Sequence, residues 1–187
     1  MSAGFVAVVG PSGSGKDSVI ECARTALEGH GGVIFPRRRI TRPAGAGEDH
    51  DPVSEAEFAA AENRGDFALT WQAHGLAYGI PAAVFDAIAT HHVVVANVSR
   101  EVLTHLPTLF ANVWVVRITV PEHIRRARIL ARGREDEAGA EARVSRPDPA
   151  PGYPADLEIV NDGTLEEAGT ALTAFLTRVH GTQHPHA

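Results

Sequence analysis

The chain has 187 residues, a formal net charge of −6, 44% apolar residues and 21% charged residues. That length and composition fit one globular domain with a real core, and the acidic balance argues against a general nucleic-acid binder. No apolar run approaches the roughly 20 residues of a membrane helix, and the single cysteine, Cys22, excludes an internal disulfide framework and fits a reducing cytosol.

Taken in order, residues 5–9 are an apolar strand, too short for the core of a secretory leader and without a basic stretch before them, so a cytoplasmic protein is expected. Gly10-Pro11-Ser12-Gly13-Ser14-Gly15-Lys16-Asp17-Ser18 follows, and then a helix over 17–28 that ends in glycines. A short strand at 33–35 leads into Arg37, Arg38, Arg39 and Arg42, and a loop runs through 45–51. Ser54 and Glu57 form a capping box that starts a helix ending near Gly65. Residues 67–71 and 76–80 read as a hairpin around His74-Gly75, and Pro81 is expected to open a helix running to about 90.

The run 93–96 is apolar throughout, as a strand buried on both faces requires. Helix at 100–106, strand at 113–118 and helix at 121–131 follow. That last helix carries Arg125, Arg126 and Arg128 and enters a polar stretch, 132–137; residues 141–146 are expected to be helical. A proline-rich loop at 147–154 precedes a final strand at 157–160 and a helix capped by Thr164 and Glu167 that runs to about 179; residues 181–187 read as a flexible tail.

Strands alternate with helices, so the class is α/β with a mostly parallel five-stranded core sheet in three layers. One domain, 1–180, carries a small lobe at about 36–80 and an arginine-rich lid at about 128–146. Ligands of such sheets sit at the carboxyl ends of the strands. The glycine loop, Asn97 to Arg100, and Asn161-Asp162-Gly163 all fall there.

A Gly-x4-Gly-Lys between a strand and a helix is a P-loop, whose backbone N–H groups and helix N-terminus cradle phosphates. Gly10 to Gly15 with Lys16 are therefore the candidate nucleotide cradle. Lys16 is the only lysine in a chain with 16 arginines. A compact ammonium fits a tight phosphate loop where a planar guanidinium does not. The hydroxyl residue that usually follows the lysine and holds Mg²⁺ is replaced by Asp17, with Ser18 one place later; Asp17 or Ser18, with water, is the candidate metal contact. The arginine clusters at 37–42 and 125–143 suit a triphosphate donor and a separately held phosphorylated acceptor, because phosphoryl transfer is mostly positioning and cations. His50 and His74 are lone loop histidines, a pattern that is more often structural than functional.

The ordered set Gly10-Pro-Ser-Gly-Ser-Gly-Lys16, Thr41-Arg42, Gly47-Glu48, Tyr78-Gly79, Arg128-x3-Arg132-Gly133-x-Glu135, Arg143 and Val160-Asn161-Asp162 resembles guanylate kinases over nearly the whole chain. The fold implied is guanylate-kinase-like. The chain departs where guanine is read: the loop after Glu48 lacks a tyrosine, Leu69 stands where that family has a carboxylate, and Asn97 and Ser99 replace two acids. Gly-Lys-Asp-Ser, Arg-x-Ile-Thr-Arg-Pro-Ala, the run from Trp71 to Gly79 and Asn97-x-Ser-Arg100 closely resemble ribose 1,5-bisphosphate phosphokinases of phosphonate utilisation.

That resemblance implies transfer of the γ-phosphoryl of ATP to ribose 1,5-bisphosphate, with Mg²⁺. It implies Lys16, Arg128, Arg132 and Arg143 as catalytic, Asn161 near the adenine, and Arg38, Arg42, Glu48, Tyr78, Asn97, Ser99 and Arg100 at the acceptor. The alternatives are a nucleoside monophosphate kinase and an inactive binding module of the same fold. The partner expected is a small sugar bisphosphate, with no nucleic acid and no membrane; a homodimer is compatible with the sequence.

Overall fold

The computed structural model describes residues 2–43, 49–131 and 137–181, with the side chains of 137, 138, 140 and 143 outside that description. The centre is β1 (Gly4–Val9), every residue of which is buried. It pairs in parallel with β7 (Val93–Asn97) on one side and β8 (Val113–Thr119) on the other. Outside these lie β2 (Val33–Ile34) and β9 (Leu157–Val160), both parallel to their neighbours. The order is therefore β2-β7-β1-β8-β9, and the five-stranded sheet is wholly parallel.

Period-two alternation divides β1 between two cores. Phe5, Ala7 and Val9 pack with Leu103, Leu106 and Phe110 on one face. Val6 and Val8 face α1 (Lys16–Ala26) and α7 (Leu165–Gly181), through Val19, Ala23, Leu172 and Leu176. A strand with apolar residues on both faces can sit only in the middle of such a sandwich, so β1 is fixed at the centre and the loop after it opens at the sheet's carboxyl edge.

The lobe is a second sheet, β4-β3-β6-β5, built from β3 (Arg38–Ile40), β4 (His50–Pro52), β5 (Phe67–Ala73) and β6 (Leu76–Pro81). The hairpin turn is the expected one: His74 and Gly75 both have positive φ, 55° and 71°, as a two-residue turn between twisted strands requires. The capping box of Ser54 and Glu57 starts α2 (Glu55–Asn63), and that of Thr164 and Glu167 starts α7. In both boxes the backbone N–H of the capping residue, then its hydroxyl, holds the glutamate below its ordinary pKa. What these carboxylates contribute is therefore full at neutral pH and is lost as pH falls through their lowered values.

Several expectations are corrected. Pro81 does not open a helix; it ends β6, where a missing N–H costs no ladder bond, and α3 begins after it (Ala83–Ala89). Part of the loop at 45–51 is strand β4, which is too short to show periodicity. The helix expected at 100–106 is a 3-10 turn, Arg100–Val102, followed by α4 (Leu106–Leu109). In the lid, α5 (Glu122–Ala131) packs on α6 (Glu137–Val144) through Ile129, Leu130 and Val144. The helix expected at 141–146 thus begins and ends earlier, and the last helix reaches Gly181. Among the described residues no helix is long and apolar enough to cross a membrane.

The two helices of one layer meet at Gly169, where a Cβ would lie 2.5 Å from the Cβ of Cys22. Gly169→Val should therefore force α7 away from α1 and lower stability by about 1–3 kcal/mol, read as a lower urea midpoint; an unchanged midpoint would show that the contact is loose.

Candidate functional site

The glycine loop is fixed from behind before it can meet any ligand. Gly15 has φ 85°, and a Cβ there would lie 2.5 Å from Asn161 Nδ2. Gly13 has φ 81°, and its Cβ would meet Arg125 O at 3.0 Å and Ile129 Cγ1 at 3.1 Å. The left-handed backbone and the close approach both require glycine. Asn161, buried at the end of β9, donates from Nδ2 to Ser14 O at 2.9 Å. Its own carbonyl accepts from Arg128 Nη2 at 3.2 Å. Helix α5 and strand β9 thus hold the loop against the sheet edge.

In front of the loop, Lys16 Nζ donates to Gly10 O at 2.8 Å and Pro11 O at 3.0 Å. Two polar atoms next to it, Ser14 Oγ and Arg128 Nη1, are buried without a hydrogen-bond partner. Unpaired buried donors are costly. Arg128 Nη1 also lies 3.7 Å from the Cβ position of Gly15. Donors aimed at a backbone cradle on a helix N-terminus fit a phosphate chain.

The opposite wall comes from the lobe and from the end of β7. Arg38 points inward: its Nη2 donates to Asp17 Oδ1 at 3.0 Å and its Nη1 to Asn97 O at 3.4 Å. Alternation along β3 turns its neighbours away. Arg37 pairs with Asp49 and Asp51, and Arg39 lies over the Phe67 ring. Arg42 and His50 meet through a contact of 3.1 Å between Arg42 O and His50 Nε2. Trp71 and Tyr78, paired across β5 and β6, stack with centroids 5.3 Å apart. Arg100 pairs with Asp148 at 2.8 Å, and Arg146 with Glu101 at 3.2 Å.

One cleft gathers Gly10, Pro11, Ser12, Gly13, Gly15, Lys16, Asp17, Arg38, Arg42, Tyr78, Asn97, Ser99 and Arg100. Others are placed elsewhere. Ser18 is exposed and lines an adjoining groove, with Glu21 and Phe35, that shares Asp17, Arg38 and Asn97 with the cleft. Asn161 stands behind the loop, and Arg128 spans from it, with Nη2 on the Asn161 carbonyl, to Gly15, with the buried Nη1 nearby. Asn161 serves the loop backbone, a role the sequence did not suggest. Glu48, Arg132 and the side chain of Arg143 lie outside the described residues. The cleft also takes in His50, His74, Trp71 and Arg146, which sequence reasoning did not place in the site. His50 is 1% exposed, and nothing in a lone loop histidine signals that burial. Arg146 was within the expected lid, but only the fold brings it opposite Glu101.

The chain is 54% identical over 177 residues to a protein named ribose 1,5-bisphosphate phosphokinase PhnN from Pseudofrankia inefficax, covering 95% of this chain and 92% of that one. Proteins of the same name from Methylobacterium radiotolerans and Agrobacterium fabrum are 46% identical over 172 residues and 41% identical over 183 residues. These matches cover 92% and 97% of this chain, and 96% and 100% of the relatives. A guanylate kinase from Anaplasma phagocytophilum superposes with a TM-score of 0.68 over 97% of this chain and 88% of its own, at 19% identity, which shows the fold alone. No family model matches the chain.

Asn161→Ala removes the donor to Ser14 O. It should lower stability by about 1–3 kcal/mol, seen in thermal melts, and weaken ADP and GDP binding alike by calorimetry. A change in base preference with stability intact would instead make Asn161 an adenine contact.

Proposed function

The chain belongs to the ribose 1,5-bisphosphate phosphokinase family, and from that premise we infer how its cleft carries out the reaction. It is a kinase acting on a phosphorylated sugar, converting ribose 1,5-bisphosphate to 5-phosphoribosyl 1-diphosphate. We propose ATP as the donor, bound on the glycine loop. The carrying observation is the division of cations in one cleft. The only lysine, Lys16, stands on the donor loop, while Arg38, Arg42 and Arg100 face it from the acceptor wall with Asn97 and Ser99 between them.

The acceptor oxygen belongs to the 1-phosphate, which is ionised at neutral pH, so no proton has to be removed before attack. The new bond forms between that oxygen and the γ-phosphorus as the γ-phosphorus–oxygen bond to the β-phosphate breaks, and ADP leaves with the electron pair. Charge spreads over the transferring oxygens, so the chain's work is positioning and electrostatics. Lys16 and the loop N–H groups hold the β- and γ-phosphates. Arg128 approaches the same group from α5, and on the family resemblance Arg132 and Arg143 act with it. Arg38, Arg42 and Arg100 hold the two acceptor phosphates beside Tyr78.

Among the described residues no group of three His, Cys, Asp or Glu side chains could hold a metal. Mg²⁺ keeps most of its waters and commonly rides on substrate phosphates with few protein ligands, which suits this cleft; bound there it would neutralise phosphate charge. A guanine-reading acceptor site is disfavoured by Leu69, which is buried in the core with Ile80 and Val98 and offers a base no hydrogen bond.

ADP release should be rapid with ribose 1,5-bisphosphate and negligible with GMP, with product identified by mass; the reverse preference would overturn the reading. Lys16→Ala should lower kcat by about 10²–10³ while melting near the wild type. A folded Lys16→Ala protein of full activity would remove Lys16 from the chemistry.

A further inference from the structure

Asp17 follows Lys16 in the first turn of α1, yet its carboxylate faces the acceptor wall. Its Oδ1 accepts from Asn97 Nδ2 at 2.7 Å and from Arg38 Nη2 at 3.0 Å. These three residues come from the donor loop, from the end of a core strand and from the lobe. They meet at one oxygen. Asp17, the departure from the usual P-loop, and Asn97, a departure from guanylate kinases, are thereby matched to each other. An aspartate at 97 would set two carboxylates against one another at hydrogen-bond distance, whereas an amide nitrogen donates.

We propose that Asp17 is a positioning residue for the acceptor: it fixes the direction of the Arg38 guanidinium toward an acceptor phosphate, and it does not act mainly as a metal ligand. The inference rests on the reaction given above and deepens it. The side chain of Asp17 is 43% exposed and that of Arg38 15%. Solvent screens the half-exposed Asp17 end, which limits what the pair adds to stability, whereas Arg38 is largely buried, and what the contact does for it is set its direction. Arg38 spends one N–H on Asp17 Oδ1 and one on Asn97 O. A guanidinium carries five N–H donors in one plane. Fixing two of them on the protein side orients the other three, and Arg38 lines the cleft. Phosphate recognition by arginine depends on that planar fork being aimed. Because Asp17 is bonded in sequence to Lys16, the same contact sets the distance between the donor lysine and the acceptor arginine.

The opposing effect is charge. A carboxylate beside the acceptor also repels phosphate, and if repulsion outweighed aim, removing it would tighten binding. Steady-state kinetics on the whole enzyme separate the two. Asp17→Ala should raise KM for ribose 1,5-bisphosphate about tenfold to a hundredfold, the range of a hydrogen bond to a charged group. KM for ATP and the Mg²⁺ concentration for half-maximal rate should stay within about threefold. Asn97→Asp should also raise acceptor KM, and the exchange Asp17→Asn/Asn97→Asp, which restores a single carboxylate, should recover most of the loss.

A lower acceptor KM in Asp17→Ala would show that repulsion dominates and would overturn the proposal. A shifted Mg²⁺ requirement with unchanged acceptor KM would make Asp17 a metal residue instead. Equal loss of ADP affinity by calorimetry would reduce it to support of the loop, and unchanged kinetics would leave it no role. Wild-type enzyme without turnover on ribose 1,5-bisphosphate refutes the reaction itself and this inference with it; an active wild type with variants unlike those expected refutes the inference alone.

Discussion

The structure depends on one constraint: the backbone of residues 10–15 has to keep its tight turn, with left-handed φ at Gly13 and Gly15. A free glycine-rich loop would lose that order at a large entropic cost. Here the loop is held on three sides. Strand β1 enters it from the fully buried centre of the sheet, α1 leaves it at Lys16, and the Asn161 amide and α5 close the back. The positive φ at Gly13 and Gly15 and the contacts their missing Cβ atoms permit are the same fact seen twice. The shape of the loop is thereby set by the protein's own contacts, and such preorganisation is the condition for electrostatic catalysis.

That constraint also explains how an acidic chain handles anionic substrates. The net charge of −6 is an average over the surface, while the cleft concentrates Lys16, Arg38, Arg42, Arg100 and Arg146. Several of these are balanced locally by Asp17, Glu101 and Asp148. Balanced arginines are directed, not merely charged. A field of unpaired cations would attract any polyanion, but a set of aimed guanidinium groups selects for phosphates at matching positions.

Much of this was legible in the residues. The apolar run of β1, the glycine loop, both capping boxes and the His74-Gly75 turn each rest on local chemistry, and local chemistry is what a sequence displays. Alternation along β3 separates Arg38 from Arg37 and Arg39, but which of them faces the cleft is seen only in the fold. What was not legible depended on distance. Asn161 lies 147 positions from Ser14, and no pattern joins them, so its support of the loop backbone could not be read. Pro81 was misread because proline suits a helix start and a strand end equally. His50 and Arg146 carry no motif, and only the meeting of the lobe with the core and of the lid with the 3-10 turn gives them a place.

The apolar side of the acceptor wall completes the argument about substrate. Leu69, Ile80 and Val98 are buried in the core, and Trp71 packs against it while also lining the cleft. A site that reads a nucleobase needs buried polar groups at its edge, and those groups are penalised when the base is missing. A site for a sugar with two phosphates has the opposite requirement. Its recognition is borne by cations around the phosphates, and the space between them is best closed to water by apolar and aromatic surface. Trp71 and Tyr78, with the nearly buried Ile40 and Val98, line the cleft together with Arg38, Arg42 and Arg100, a lining that suits this requirement. The replacement of acids by Asn97 and Ser99 follows from the same requirement, because a carboxylate facing two acceptor phosphates would oppose them. Asp17 is tolerated because its charge is spent on Arg38 and Asn97.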